Sequence, residues 1–136
     1  MPESWTEVVD MRGQMFARER NDCTVIALAK VTGIDYQSAH DLLRDAGRKD
    51  GQGIPIGILI SYLRKECLYD FIAVNPKPAY LRTLRETAHK FEGRYLVSVK
   101  AGYMEGHAFA MLDGRISDTI VNHLPILGLW KLKEKE

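Results

Sequence analysis

Cysteine is scarce in this chain: among 136 residues only Cys23 and Cys67 carry a thiol. Two thiols cannot build the disulfide framework that holds small secreted domains together, and these two lack the paired spacing of a zinc site. The four histidines, His40, His89, His107 and His123, are scattered, so no metal centre and no cofactor is expected. An excess of one charge is also missing. Nineteen Lys and Arg against eighteen Asp and Glu leave a formal +1, too little to create the basic field that draws nucleic acid or an anionic membrane surface. Long hydrophobic runs are absent as well. The stretch 54–60 is interrupted by Pro55 and Gly57 and falls far short of the roughly 20 apolar residues that span a bilayer. Residues 1–10 mix Glu3, Glu7 and Asp10 with apolar side chains, unlike a secretory leader. The expectation is a cytoplasmic protein with no nucleic-acid and no membrane partner; its oligomeric state is not legible.

What is present suits one folded unit. The composition, 46% hydrophobic and 27% charged, supplies apolar material for a single core, and the length leaves no room for two. The expected organisation is therefore one domain over residues 1–136, with 1–12 and 131–136 peripheral or frayed. The first helix starts at Asn21 or Asp22, either of which can cap it, and runs from Thr24 through Val31 with apolar residues on nearly all sides, which predicts burial. Thr32 and Gly33 end it. Asp35 caps a second, amphipathic helix over 36–46 that turns Tyr36, Ala39, Leu42, Leu43 and Ala46 inward and stops at Gly47. A third follows Pro55 to about Lys65. Residues 67–74 read as a strand or crossover broken by Asn75-Pro76-Lys77-Pro78, and another helix covers 81–91. From Gly93 the period becomes alternating, with strands over 95–99, 107–112, 116–118 and 126–132. Helices first and strands last predict an α+β fold, helices packed on an antiparallel sheet.

Cys23 falls in the first turn of the buried helix, where unsatisfied N–H groups and the helix dipole favour a thiolate. Asp22 beside it works the other way unless its carboxylate is taken up in capping bonds. His107 opens a strand after the loop 101–106, placing an imidazole at the rim of the sheet. The strand leads into Asp113-Gly114, a two-residue hairpin signal. That turn pairs Leu112 with Arg115 and Met111 with Ile116, and extended further it pairs Phe109 with Asp118. His107, Phe109 and Asp118 then share one face, with Asp118 the diagonal neighbour of His107 at about 7–8 Å between backbones, near enough for a carboxylate to reach the imidazole. Asp113 is six residues along the same strand, roughly 20 Å away at about 3.4 Å per residue. Phe109, Met111 and Ile116 on that face are expected to pack against the helix headed by Cys23. Should a bulge interrupt the hairpin, the orienting group falls instead to Ser117, Thr119 or Asn122.

A cysteine on a helix, then a histidine and an aspartate on neighbouring strands, is the arrangement of papain-like cysteine peptidases. The segments 21–29, 93–97 and 106–118 resemble small papain-like proteins similar to bacteriocin-processing peptidases, compact forms of which are carried by phages and bacteria. The resemblance implies a papain-like fold and a cysteine-dependent hydrolase, a peptidase or amidase acting on a peptide or protein. In it Cys23 is the nucleophile, His107 the general base and then acid, and Asp118 the residue that orients His107. It also implies an oxyanion hole built from the Cys23 N–H and an upstream polar side chain. The family's glutamine, six residues before the cysteine, falls on Ala17 here, which leaves Asn21 or Gln14 for that place. Tyr103, Met104 and Gly106, in the loop before His107, and residues 48–53 are the expected walls of the substrate cleft.

Two other readings use the same residues. A papain-like domain that has lost catalysis would act as a binding module. The helix pair around Thr32 and Gly33 also has the spacing of a DNA-binding helix-turn-helix, although its second helix carries Asp41 and Asp45 against Arg44. Elsewhere, Cys67 reads as a packing thiol, His123 as a surface residue, His40 and His89 as solvated helix residues, and Trp5 and Trp130 as covers for core edges.

Overall fold

The computed structural model describes residues 23–49, 54–100, 107–116 and 124–133. Among them the chain is α+β, with four α-helices and a five-stranded antiparallel sheet. Helix α1 is Cys23–Thr32, α2 Tyr36–Asp45 and α3 Ile56–Lys65; then come β1 (Phe71–Ala73), α4 (Leu81–Thr87), β2 (Arg94–Val99), β3 (His107–Leu112), β4 (Arg115–Ile116) and β5 (Ile126–Leu132). The sheet order is β1-β5-β2-β3-β4, so β2 and β3, which bracket the loop before His107, lie side by side in the interior of the sheet.

The two faces of the sheet are covered by different helices. On one, α1, α2 and α3 pack on Phe71, Leu96, Ala108, Ala110 and Leu112. On the other, Leu81 and Leu84 of α4 pack on Tyr95, Val97, Val99, Phe109, Met111, Ile126 and Leu129. The expected docking of Phe109, Met111 and Ile116 on the Cys23 helix is thus corrected: these residues face α4, and α1 lies across Ala108 and Ala110 instead. The reason is steric. The alternation of β3 puts Ala108 and Ala110 on one face, where their small side chains leave room for α1 to lie close, and Phe109 and Met111 on the other.

Helix α1 is buried from Thr24 through Val31, Lys30 included. At about 1.5–3 kcal/mol for each large apolar side chain removed from water, Val25, Ile26, Leu28 and Val31 anchor it firmly. Its last turn is tied to the sheet by the Arg94 guanidinium, which donates to the carbonyls of Lys30 at 3.3 Å and Val31 at 3.4 Å. The Asp35 cap of α2 forms as expected, its carboxylate accepting from the Ser38 N–H at 2.7 Å. One residue on α2 departs from expectation. His40 is buried at 5% exposure rather than solvated, because it lies one turn beyond Tyr36 on the inward face, with ring centroids 6.0 Å apart. His89 is exposed, as expected.

Three further departures concern the later elements. The helix read over 81–91 is α only to Thr87, and Ala88–Lys90 is a 3₁₀ turn. Lys131 and Leu132 are not a frayed tail. The strand within 67–74, β1, lies at the sheet edge and pairs Ile72 and Phe71 with them, and the Lys133 N–H donates to the Asp70 carbonyl at 2.8 Å. Cys67 is exposed, not packed. It follows the last turn of α3 at φ 56°, with its own N–H on the Arg64 carbonyl at 3.1 Å and the Leu68 N–H on the Leu63 carbonyl at 2.9 Å. That double bond pattern is a Schellman cap, whose left-handed position glycine fills most comfortably. Trp130 packs half-buried at the edge of the core, as expected, while Trp5 lies outside the described residues.

The Asp113-Gly114 hairpin forms with two residues in the turn. Both have positive φ, 50° and 79°, the requirement of a type I′ turn, and Leu112 pairs with Arg115 and Met111 with Ile116 as the spacing predicts. A Cβ on Gly114 would stand 2.4 Å from the Ala88 carbonyl oxygen.

Two substitutions test these cap and turn assignments. Cys67→Gly should raise the unfolding free energy by about 1 kcal/mol, the cost of a side chain in the left-handed region. Gly114→Ala should lower it by about 2–4 kcal/mol, since backbone strain and a clash with main chain act together. Urea denaturation of the two variants measures both.

Candidate active site

The first residue of α1 and the first residue of β3 meet. Because α1 lies on the alanine face of β3, its N-terminus comes to the strand's beginning, and the Cys23 sulfur is hydrogen-bonded to the His107 side chain and to the Ala108 backbone N–H. The Thr24 hydroxyl lies 3.9 Å from the same sulfur. His107 pairs with Val99, the last residue of β2, so the thiol and imidazole sit at the rim of the sheet where both are half-buried. The imidazole leans over Phe109, two residues along the strand on the same face, with centroids 6.2 Å apart and planes tilted by 33°.

The electrostatics of the thiol are a contest with a clear outcome. Burial pushes the Cys23 thiol up, and it is the largest single influence. Against it act the hydrogen bond from His107, the Ala108 N–H, the positive charge of the His107 imidazolium and the Thr24 hydroxyl, and together they hold the thiol below the ordinary cysteine value. A half-buried thiol held below its ordinary value owes this to specific partners, here above all the His107 side chain and the Ala108 N–H. The dipole of α1 adds to the same side, because Cys23 stands where its N–H groups point.

Of the residues singled out in the sequence, Cys23 and His107 are brought together. Asp118, Asn21, Gln14, Tyr103, Met104 and Gly106 lie outside the described residues, as do Ala17, Asp22, His123 and the alternatives Ser117, Thr119 and Asn122. Of the loop 48–53, Arg48 is buried at 4% exposure rather than lining an open wall, Lys49 is exposed, Asp50 to Gly53 lying outside the described residues. Asp113 has a separate task at the far end of β3: its carboxylate accepts from the Gly93 N–H at 2.8 Å, while its own N–H donates to the Gly93 carbonyl at 2.8 Å. The rival carboxylate is therefore a turn residue.

Sequence reasoning misses Thr24 and Ala108 as parts of the site. Ala108 acts through its main chain and leaves no side-chain signal. Thr24 has one, as the first polar side chain in an otherwise apolar helix run. Among the described residues, no cluster of three or more His, Cys, Asp or Glu could hold a metal ion, and no helix is long and apolar enough to cross a membrane. No family model matches the chain, and neither the curated proteins nor the solved structures contain a significant match to it.

Two outcomes follow from this geometry. In a Cys67→Gly background, iodoacetamide should alkylate Cys23 with a pH midpoint below that of the same thiol in the urea-unfolded chain, and His107→Ala should move the midpoint up, since burial then loses its strongest counterweight. Asp113→Asn should cost less than about 1 kcal/mol in urea denaturation, because the amide oxygen can still accept from Gly93, and should leave the alkylation profile in place.

Proposed function

We propose that the protein is a papain-like, cysteine-dependent hydrolase, a peptidase or amidase. The observation that carries this reading is the hydrogen-bonded Cys23–His107 pair at the start of α1, with the thiol held below its ordinary value despite burial. In the proposed reaction the Cys23 thiolate attacks an amide carbonyl, His107 protonates the leaving amine, and His107 then takes a proton from the water that cleaves the thioester. The Cys23 N–H at the head of α1 is a donor for the oxyanion, with Asn21 or Gln14 as the second. A peptide or protein is the substrate, approaching the rim of the sheet past Tyr103, Met104 and Gly106.

Asp118 is the third member in this reading. The two-residue turn and the register of Leu112 with Arg115 and Met111 with Ile116 support it, because continuing that register by two residues pairs Phe109 with Asp118. A carboxylate there would fix the tautomer of His107 and stabilise its imidazolium. A cytoplasmic setting, where a free thiol persists, fits the same reading.

Profiling a peptide library with the wild type and Cys23→Ala tests the proposal: cleavage by the wild type should vanish in the variant, and cleavage that survives Cys23→Ala would refute the assignment. Against any peptide so found, Asp118→Asn should lower kcat by about 10³- to 10⁴-fold with the fold intact, the scale of the equivalent change in a serine-protease triad.

A further inference from the structure

Threonines inside helices commonly turn their hydroxyl back to the carbonyl four residues earlier. Among the described residues two do so: the Thr32 hydroxyl donates to the Leu28 carbonyl at 2.7 Å and the Thr87 hydroxyl to the Thr83 carbonyl at 2.8 Å. Thr24 differs. It is the second residue of α1, it is buried at 4% exposure, and its hydroxyl lies on the Cys23 sulfur at 3.9 Å. A buried hydroxyl needs a partner, and a sulfur carrying negative charge is a better acceptor than a neutral thiol.

We propose that Thr24 is a positioning residue of the Cys23–His107 site, its hydroxyl donating to the Cys23 thiolate and holding the sulfur at the head of α1. The proposal rests on the catalytic reading above and deepens it. The thiolate then has donors on three sides: the imidazolium, the first strand amide after it, and the Thr24 hydroxyl. The hydroxyl has a second consequence. Once the sulfur is acylated it no longer carries the charge that held the donor, so Thr24 favours the free thiolate over the thioester and eases its return as leaving group. Asp22, adjacent in sequence, lies outside the described residues; among those described, His107 is the charged group that acts on the sulfur. His107 faces it from β3; on its own helix Lys30 is seven residues on, about 10 Å along the axis; Arg94 of β2 is engaged with the carbonyls of Lys30 and Val31 at that far end; and His40 of α2 packs against Tyr36.

The test compares Thr24→Val, which keeps shape and removes the donor, with Thr24→Ser, which keeps the donor, both in the Cys67→Gly background. The readout is the pH profile of Cys23 alkylation, which needs no substrate and which loss of packing alone would not shift in this pattern; circular dichroism checks the fold. Thr24→Val should raise the alkylation midpoint and slow alkylation at pH values below it, and Thr24→Ser should restore the wild-type profile. A wild-type profile in Thr24→Val, or an equal shift in Thr24→Ser, would overturn the role of the hydroxyl while leaving the catalytic reading standing. An ordinary cysteine midpoint in the wild type itself would overturn both.

Discussion

The packing of α1 on Ala108 and Ala110 is the constraint on which the rest depends. Two small side chains on one face of β3 let a fully buried helix lie close to the strand, and that closeness carries the helix's first residue to the strand's first amides. Larger residues there would lift α1 and carry the sulfur out of hydrogen-bonding reach. The same alternation sends Phe109 and Met111 to the opposite face, where they hold α4 and where Phe109 lies beside the imidazole. One strand thus fixes both partners, each from its own side of the sheet.

The two ends of β3 have different tasks. At the rim, His107 meets a sulfur that is part of a hydrogen-bonded, partly desolvated cluster. Low local dielectric strengthens such contacts and penalises a charge left alone, so the pair gains from being half-buried only because it is complete. At the other end, Asp113 binds Gly93 through both main chain and side chain. That tie fixes the turn, and the turn sets the register of Leu112 with Arg115 and Met111 with Ile116.

Much of this is legible in the sequence because it rests on local rules. The Asp35 cap, the glycines at the helix ends and the Asp113-Gly114 turn are decided within a few residues, and the hairpin register follows by counting. The fold class follows from the change of period at Gly93. What is not legible depends on contacts distant in the chain. Nothing local tells which face of β3 a helix will cover; the small size of Ala108 and Ala110 is the available sign, and the larger apolar residues draw the expectation to the wrong side. The pairing of β1 with β5 at the sheet edge, which makes strand of Lys131 and Leu132, is likewise long-range. His40 and Cys67 escape a local reading for opposite reasons, one buried beside its neighbour Tyr36, the other exposed because the cap of α3 turns it outward. Cys23 and His107 stand out by the chemistry of their positions, a helix start and a strand start, and long-range packing joins them.

The central claim is that Cys23 and His107 share one proton and opposite charges. Nuclear magnetic resonance of the His107 ring nitrogens across a pH titration, in the wild type and in Cys23→Ala, tests it most directly, because a coupling between two charges must be felt equally by both. The account predicts that the imidazole keeps its second proton to higher pH in the wild type than in Cys23→Ala, where no thiolate opposes its loss. Superimposable titrations in the two proteins would contradict it.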